Sequence, residues 1–156
     1  MVIPLTSIRL LKAVRIKLLN LVSGALIHQN LLAVSKSGEG GEATNTTVNA
    51  GGRMNVSSGG TAENTIVNLE GSVHINSGGN ASETTINTGG RVYVDKGVAS
   101  ATTLNSGGKM YVYTGGTANE ATVNDGGFLD VSSGGTASGI VVSSGATAHF
   151  AVAPDT

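Results

Sequence analysis

Residues 59–77 read GGTAENTIVNLEGSVHINS, and residues 115–133 read GGTANEATVNDGGFLDVSS. The two strings share their glycine pair, an alanine at the fourth place, an aliphatic residue followed by asparagine, and a closing run in which apolar and polar residues alternate. Reading outward, the same pattern recurs as GGEATNTTVNAGGRMNVSS (40–58), GGNASETTINTGGRVYVD (78–95), KGVASATTLNSGGKMYVYT (96–114) and GGTASGIVVSSGATAHFAV (134–152). The period is 19 residues, with one unit of 18. Self-similarity at this spacing is the mark of a solenoid, whose units bury a core only by stacking.

Within each unit the closing run alternates with period two, as in Met54/Val56, Val73/Ile75, Val92/Val94, Met110/Val112, Leu129/Val131 and Ala148/Phe150. That alternation predicts a half-buried strand bounded by glycine turns. Alanine holds one phase throughout (Ala43, Ala62, Ala81, Ala99, Ala118, Ala137), and an aliphatic residue follows five places later (Val48, Val67, Ile86, Leu104, Val123, Val142). An odd offset places two residues of a regular strand on opposite faces. A bulge or short loop is therefore expected between them, with both pointing inward. The predicted fold is all-β: a parallel β-helix of about six 19-residue coils, preceded by a short apolar and basic helical segment. Coils stacked at about 4.8 Å give a rod roughly 30 Å long.

Composition agrees with a thin core. The 156 residues include 24 Gly, no Trp, 2 Phe and 3 Tyr. No cysteine is present, which excludes a disulfide framework and a zinc–thiolate site. Charge divides the chain. Residues 1–36 carry Arg9, Lys12, Arg15, Lys17 and Lys36 and no acid, whereas 37–156 carry four basic residues against ten acidic ones, a net of −6. The expected organisation is an apolar and basic segment over 1–36, a repeat domain over 37–152 and a tail over 153–156. Three readings of 1–36 stand open: a secretory signal with a small-residue site at Ala33-Val34-Ser35, an amphipathic helix capping the first coil, or a misassigned start. Its few basic residues sit among Leu and Ile rather than aromatics, so nucleic acid is not an expected partner.

Across units, Asn49, Asn68, Asn87, Asn105 and Asn124 share one phase, predicting a stacked ladder of side-chain hydrogen bonds. One outward row runs Asn55, His74, Tyr93, Tyr111, Asp130, His149. Tyr93 and Tyr111 fall on neighbouring coils with Arg91 and Lys109 beside them, which makes these four residues the candidate contact for a glycan or a partner protein. The alternative is ordinary cross-strand aromatic pairing on a solvated face.

Catalytic and metal chemistry find little support. Glu63 and Glu120 differ in phase, Asp95, Asp125 and Asp130 occupy different rows, and Glu83 and Glu120 share a row with Ala101 between them. No cofactor, metal site or enzyme activity is expected, and a β-helical glycan-processing enzyme or a phage tail-spike fragment is the alternative function. Thr46-Thr47, Thr84-Thr85 and Thr102-Thr103 are adjacent pairs facing opposite ways, which argues against an ice-binding array.

The strings GGTAxNTxVNxxGxxxVSSGGTA and NTTVNAGGRMNVSSGG (45–60) resemble the repeats of AIDA-type autotransporter adhesin passengers, over residues 40–152. The resemblance implies a right-handed β-helical passenger, displayed on a Gram-negative cell surface or released from it, that mediates adhesion, self-association and biofilm formation. Its partners would be a host-cell surface or glycan, or its own kind on neighbouring cells. It also implies a glycosyltransferase partner that modifies Ser57, Ser58, Ser77, Ser132 and Ser133 with heptose. The chain stops at Thr156 and contains no translocator barrel, so a fragment, a truncated gene product or a degenerate copy is expected.

Overall fold

The computed structural model describes residues 31–35 and 41–151, and every regular element in it is a strand. Three parallel sheets run the length of a solenoid. The long sheet has seven strands: β1 (Leu31–Ser35), β4 (Arg53–Ser57), β7 (Ser72–Ile75), β10 (Arg91–Val94), β13 (Lys109–Val112), β16 (Phe128–Val131) and β19 (Thr147–Phe150). The middle sheet stacks β2 (Glu42–Thr44), β5 (Thr61–Glu63), β8 (Asn80–Ser82), β11 (Val98–Ser100), β14 (Thr117–Asn119) and β17 (Thr136–Ser138). The short sheet stacks β3 (Thr47–Val48), β6 (Ile66–Val67), β9 (Thr85–Ile86), β12 (Thr103–Leu104), β15 (Thr122–Val123) and β18 (Val141–Val142). Register places like on like: Ala99 lies between Ala81 and Ala118, and Leu104 between Ile86 and Val123.

The interior is a set of vertical rows. Ala43, Ala62, Ala81, Ala99 and Ala118 are buried, as are Val48, Val67, Ile86, Leu104 and Val123, and the inward pairs of the long sheet from Met54/Val56 to Leu129/Val131. The odd five-residue offset is absorbed at the corner between middle and short sheets. There Asn45, Asn64, Glu83, Ala101 and Glu120 adopt left-handed φ of 50 to 53°, with Gly139 in the sixth coil at 62°. This bend brings both the alanine and the aliphatic side chain inward. It also turns one residue of each TT or NT pair inward, giving a buried column of Thr65, Thr84 and Thr102 that continues as Ala121.

The two glycines of each pair have different jobs. Gly89 has φ +75°, the position of a tight turn where a side chain is disfavoured, and the turn is closed by the Gly90 N–H donating to the Asn87 carbonyl at 2.9 Å. Gly90 has an ordinary φ, but a Cβ there would strike the Val67 carbonyl oxygen of the preceding coil. The 18-residue unit loses its residue at the other turn, where Lys96 takes φ 58° in the place held by Gly78 and Gly115 in adjoining coils.

One boundary differs from the sequence reading. Leu31–Ser35, assigned to the apolar, basic block, forms a strand that pairs parallel with β4, Leu31 against Arg53 and Ser35 against Ser57. The long sheet thus starts one rung earlier than the repeat. The expected helical segment otherwise falls on residues 1–30 and 36, and the tail on 153–156, which lie outside the described residues. At the other end, Val142 and Phe150 hold core-facing register yet are 46% and 50% exposed, because no described coil stacks on them. Ala137, in the same last coil, is half-buried for that reason.

Candidate functional site

The long sheet presents three outward columns. The first runs Arg53, Ser72, Arg91, Lys109, Phe128, Thr147, and the second runs Asn55, His74, Tyr93, Tyr111, Asp130, His149. The third, just past the strand ends, includes Asp95 and Tyr113, whose backbone N–H groups continue the ladder to the Ile75 and Val94 carbonyls. In-register stacking brings side chains from 18 or 19 residues apart to within one rung, about 4.8 Å.

A continuous aromatic strip results. The Tyr93 ring stacks on Tyr111 with centroids 5.4 Å apart and planes 12° apart, and on His74 at 4.6 Å. Tyr113 lies parallel to Tyr93 at 6.4 Å, Phe128 meets Tyr111 at 5.9 Å, and His149 meets the Phe128 edge at 5.4 Å. Thus all three tyrosines of the chain sit on one outward face, while the core contains no Phe or Tyr. Small inward rows leave no room for rings, and stacking on the sheet surface recovers part of their burial.

Charge on this face is arranged in strips. Arg53, Arg91 and Lys109 stand exposed in the first column, with the Lys109 Nζ 6.0 Å from the Phe128 ring centroid. Arg53 lies 3.3 Å from Nδ1 of His74. Burial first, and the Arg53 charge second, hold His74 below its usual value. Tyr113 is raised, first by desolvation and then by Tyr93, Tyr111, Asp130 and Asp95. His149 Nδ1 lies 3.9 Å from Asp130 Oδ1.

The four residues singled out in the sequence, Arg91, Tyr93, Lys109 and Tyr111, therefore lie together as two adjacent rungs. Tyr113, Phe128 and Arg53 were missed. Their signal was present in the columns either side of the tyrosine row, which become visible only when neighbouring outward rows are read together.

At the turns that lead from the short sheet into the long sheet, Asn68, Asn87, Asn105 and Asn124 each donate from Nδ2 to Oδ1 of the asparagine one coil earlier, at 2.8, 2.8, 2.9 and 3.1 Å, ending on Asn49. Of the serines singled out for glycosylation, Ser58, Ser77 and Ser133 are exposed at turns and Ser57 and Ser132 are half-buried. Glu83 and Glu120 occupy the left-handed corner with Ala101 between them. Among the described residues, no group of three or more His, Asp or Glu side chains is placed to hold a metal ion.

A rod of in-register coils with ladders on its walls defines a scaffold of the stalk type, long in one direction and free to offer repeated surface. The family described as "Adhesin of bacterial autotransporter system, probable stalk" (AIDA) matches residues 37–90, 58–108 and 90–146, and the chain belongs to it. It is an autotransporter passenger module of adhesin type, a structural class of protein. Among solved structures it is similar to the TibC-catalysed, hyper-glycosylated fragment of TibA spanning residues 55–350, with 32% identity and a TM-score of 0.59. That match covers 79% of this chain and 54% of the other, so the chain spans about half the length of its structural relative. No curated protein matches it in sequence.

Proposed function

We propose that this rod is an adhesive stalk segment, displayed at or released from the surface of a Gram-negative cell, that holds other surfaces through many weak side-wall contacts. The observation that carries this reading is the repetition itself: the same three-sheet frame recurs coil after coil, on a chain that belongs to an adhesin family. Repeated shallow contacts gain strength by effective concentration, since each added contact forms next to one already made. The contacted surface is a host-cell surface or glycan, or a like rod on a neighbouring cell, and Arg91, Tyr93, Lys109 and Tyr111 supply one such contact on two adjacent rungs.

Ser57, Ser58, Ser77, Ser132 and Ser133 are proposed acceptors for O-linked sugar added by a glycosyltransferase. Support comes from the exposure of Ser58, Ser77 and Ser133 at turns and from the hyper-glycosylated state of the TibA fragment. Among the described residues no acid–base group converges in favour of the catalytic alternative, and turnover of polysaccharide is not expected.

A display series carrying three, six and twelve repeats on a bacterial surface tests the adhesive reading. Attachment between cells, or to epithelial surfaces, rises steeply with repeat number if contacts are multivalent. Attachment independent of repeat number overturns it, and release of reducing sugar from any polysaccharide by the purified chain overturns the non-enzymatic part.

A further inference from the structure

Arg91 and Lys109 are direct cross-strand partners in β10 and β13, both exposed, and among the described residues neither has a carboxylate within salt-bridge distance. Like charges placed opposite one another destabilise a sheet. Most exposed acids, Glu42, Glu63, Glu70, Glu83, Glu120 and Asp125, lie off the long sheet, and the two acids on its face, Asp130 and Asp95, stand in the second and third columns rather than in the column of Arg91 and Lys109. The first column of this face is therefore cationic along one edge, with Arg53, Arg91 and Lys109 beside the aromatic strip and Asp130 and Asp95 on its other side. The cation pair thus stands without a paired carboxylate beside the half-buried rings of Tyr93, Tyr111 and Phe128, free to meet an external anion.

The shape of this strip restricts its occupant. From His74 to His149 the strip spans five coils, about 20 Å, and is only two or three side chains wide. A stable protein interface needs about 800 Å² on each partner, more than such a strip offers. A single extended polymer, lying along the rod axis, needs no more width than this. Resting on the adhesive reading, we propose that the outward face of the long sheet binds a linear anionic polysaccharide. Its carboxylate or sulfate groups meet Arg91 and Lys109, with Arg53 two rungs before Arg91. Its sugar rings lie along Tyr93, Tyr111, Tyr113 and Phe128, where phenolic hydroxyls donate to and accept from sugar hydroxyls. The acids on the other walls disfavour those walls, and Asp130 and Asp95 on this face hold the polymer's anionic groups to the cationic first column.

The chain provides its own reporter. It contains no Trp, and its three tyrosines all belong to the strip, so tyrosine emission reads this face alone. The experiment titrates the purified full chain with polygalacturonate, heparin, dextran and duplex DNA. The expected result is a saturable emission change with polygalacturonate, with heparin, or with both, which tells carboxylate from sulfate. It weakens as salt is raised. The Arg91→Gln/Lys109→Gln double variant binds about tenfold or more weakly, yet melts no lower than the parent without ligand, because a repulsive pair has been removed. A merely structural role for the two cations would lower the melting temperature instead. Absence of saturable binding by both anionic polysaccharides, equal binding of dextran, duplex DNA bound as tightly as the polysaccharides, or undiminished binding by the double variant each overturns the assignment. If displayed repeats still adhere while neither polysaccharide binds, the ligand assignment fails and the adhesive reading stands. If the polysaccharide binds while adhesion is flat with repeat number, the converse holds.

Discussion

The side chain of Asn87 donates to Asn68 at 2.8 Å and accepts from Asn105 at 2.9 Å, so one amide joins three coils of the solenoid. Both ends of the amide are used, and the Asn68 oxygen and the Asn105 amide nitrogen meet no other side chain along the ladder. Replacing Asn87 by Ala leaves the Asn68 oxygen and the Asn105 amide half-buried without their partner. The expected loss is about 1–2 kcal/mol, read from a urea melt. An unchanged midpoint for Asn87→Ala, with Asn49→Ala also silent, would show the ladder to be decoration.

What was legible in the sequence was whatever stacks on itself. Ala99 could be placed between Ala81 and Ala118, and Asn87 between Asn68 and Asn105, because parallel in-register pairing converts a fixed phase into a contact. The buried threonines escaped notice for a physical reason. Thr65, Thr84 and Thr102 look polar, and only the later members of the same column, Ala121 and Ile140, betray an inward position. Strand β1 escaped for another: LLAVS carries no glycine pair, and Leu31 pairs with Arg53 at an offset of 22, outside the repeat period. Phe150 alternates like a core residue but lacks the covering coil that would bury it.

The alanine row sets the width of the interior. Ala99 is 1% exposed, with alanines directly above and below it. Leucine at this position must push the middle sheet outward or leave its preferred rotamer. Ala99→Leu is expected to cost about 1–3 kcal/mol, and Ala81→Leu a similar amount, with the Ala137→Leu change in the half-buried last coil milder. Thermal denaturation of the three variants checks the order.

Titration of His74 follows from its surroundings. Contact with the Tyr93 ring removes water from the imidazole, and Arg53 beside it opposes a second positive charge. The folded-state value therefore lies below 6.5, the value for the free side chain. Between the two values the unfolded chain binds more protons than the folded one, so stability is complete above 6.5 and declines as pH falls through the folded value. Ring resonances of His74 should titrate below 6.5. Arg53→Gln should move the midpoint up only part of the way, since burial is the larger cause. A midpoint at or above 6.5 in the parent would show that the stacked geometry does not persist in solution.

The column of Thr65, Thr84 and Thr102 is the least satisfied part of the core. Their hydroxyl oxygens are buried and have no hydrogen-bond partner, although each side chain is at most 1% exposed. A buried hydroxyl without a partner has lost its water and gained nothing, and valine keeps the same branched shape without the polar atom. Ala121 in the next coil shows that an apolar residue fits this column. Thr84→Val should therefore raise stability by about 1 kcal/mol, whereas Thr85→Val, one residue away on the outward side, should change little. Combining Thr65→Val, Thr84→Val and Thr102→Val should stabilise further, though not by three equal steps, because the three sites touch one another's neighbours. A lower melting temperature for Thr84→Val would mean that the hydroxyl has a partner in solution, and a search for ordered water along the column would follow.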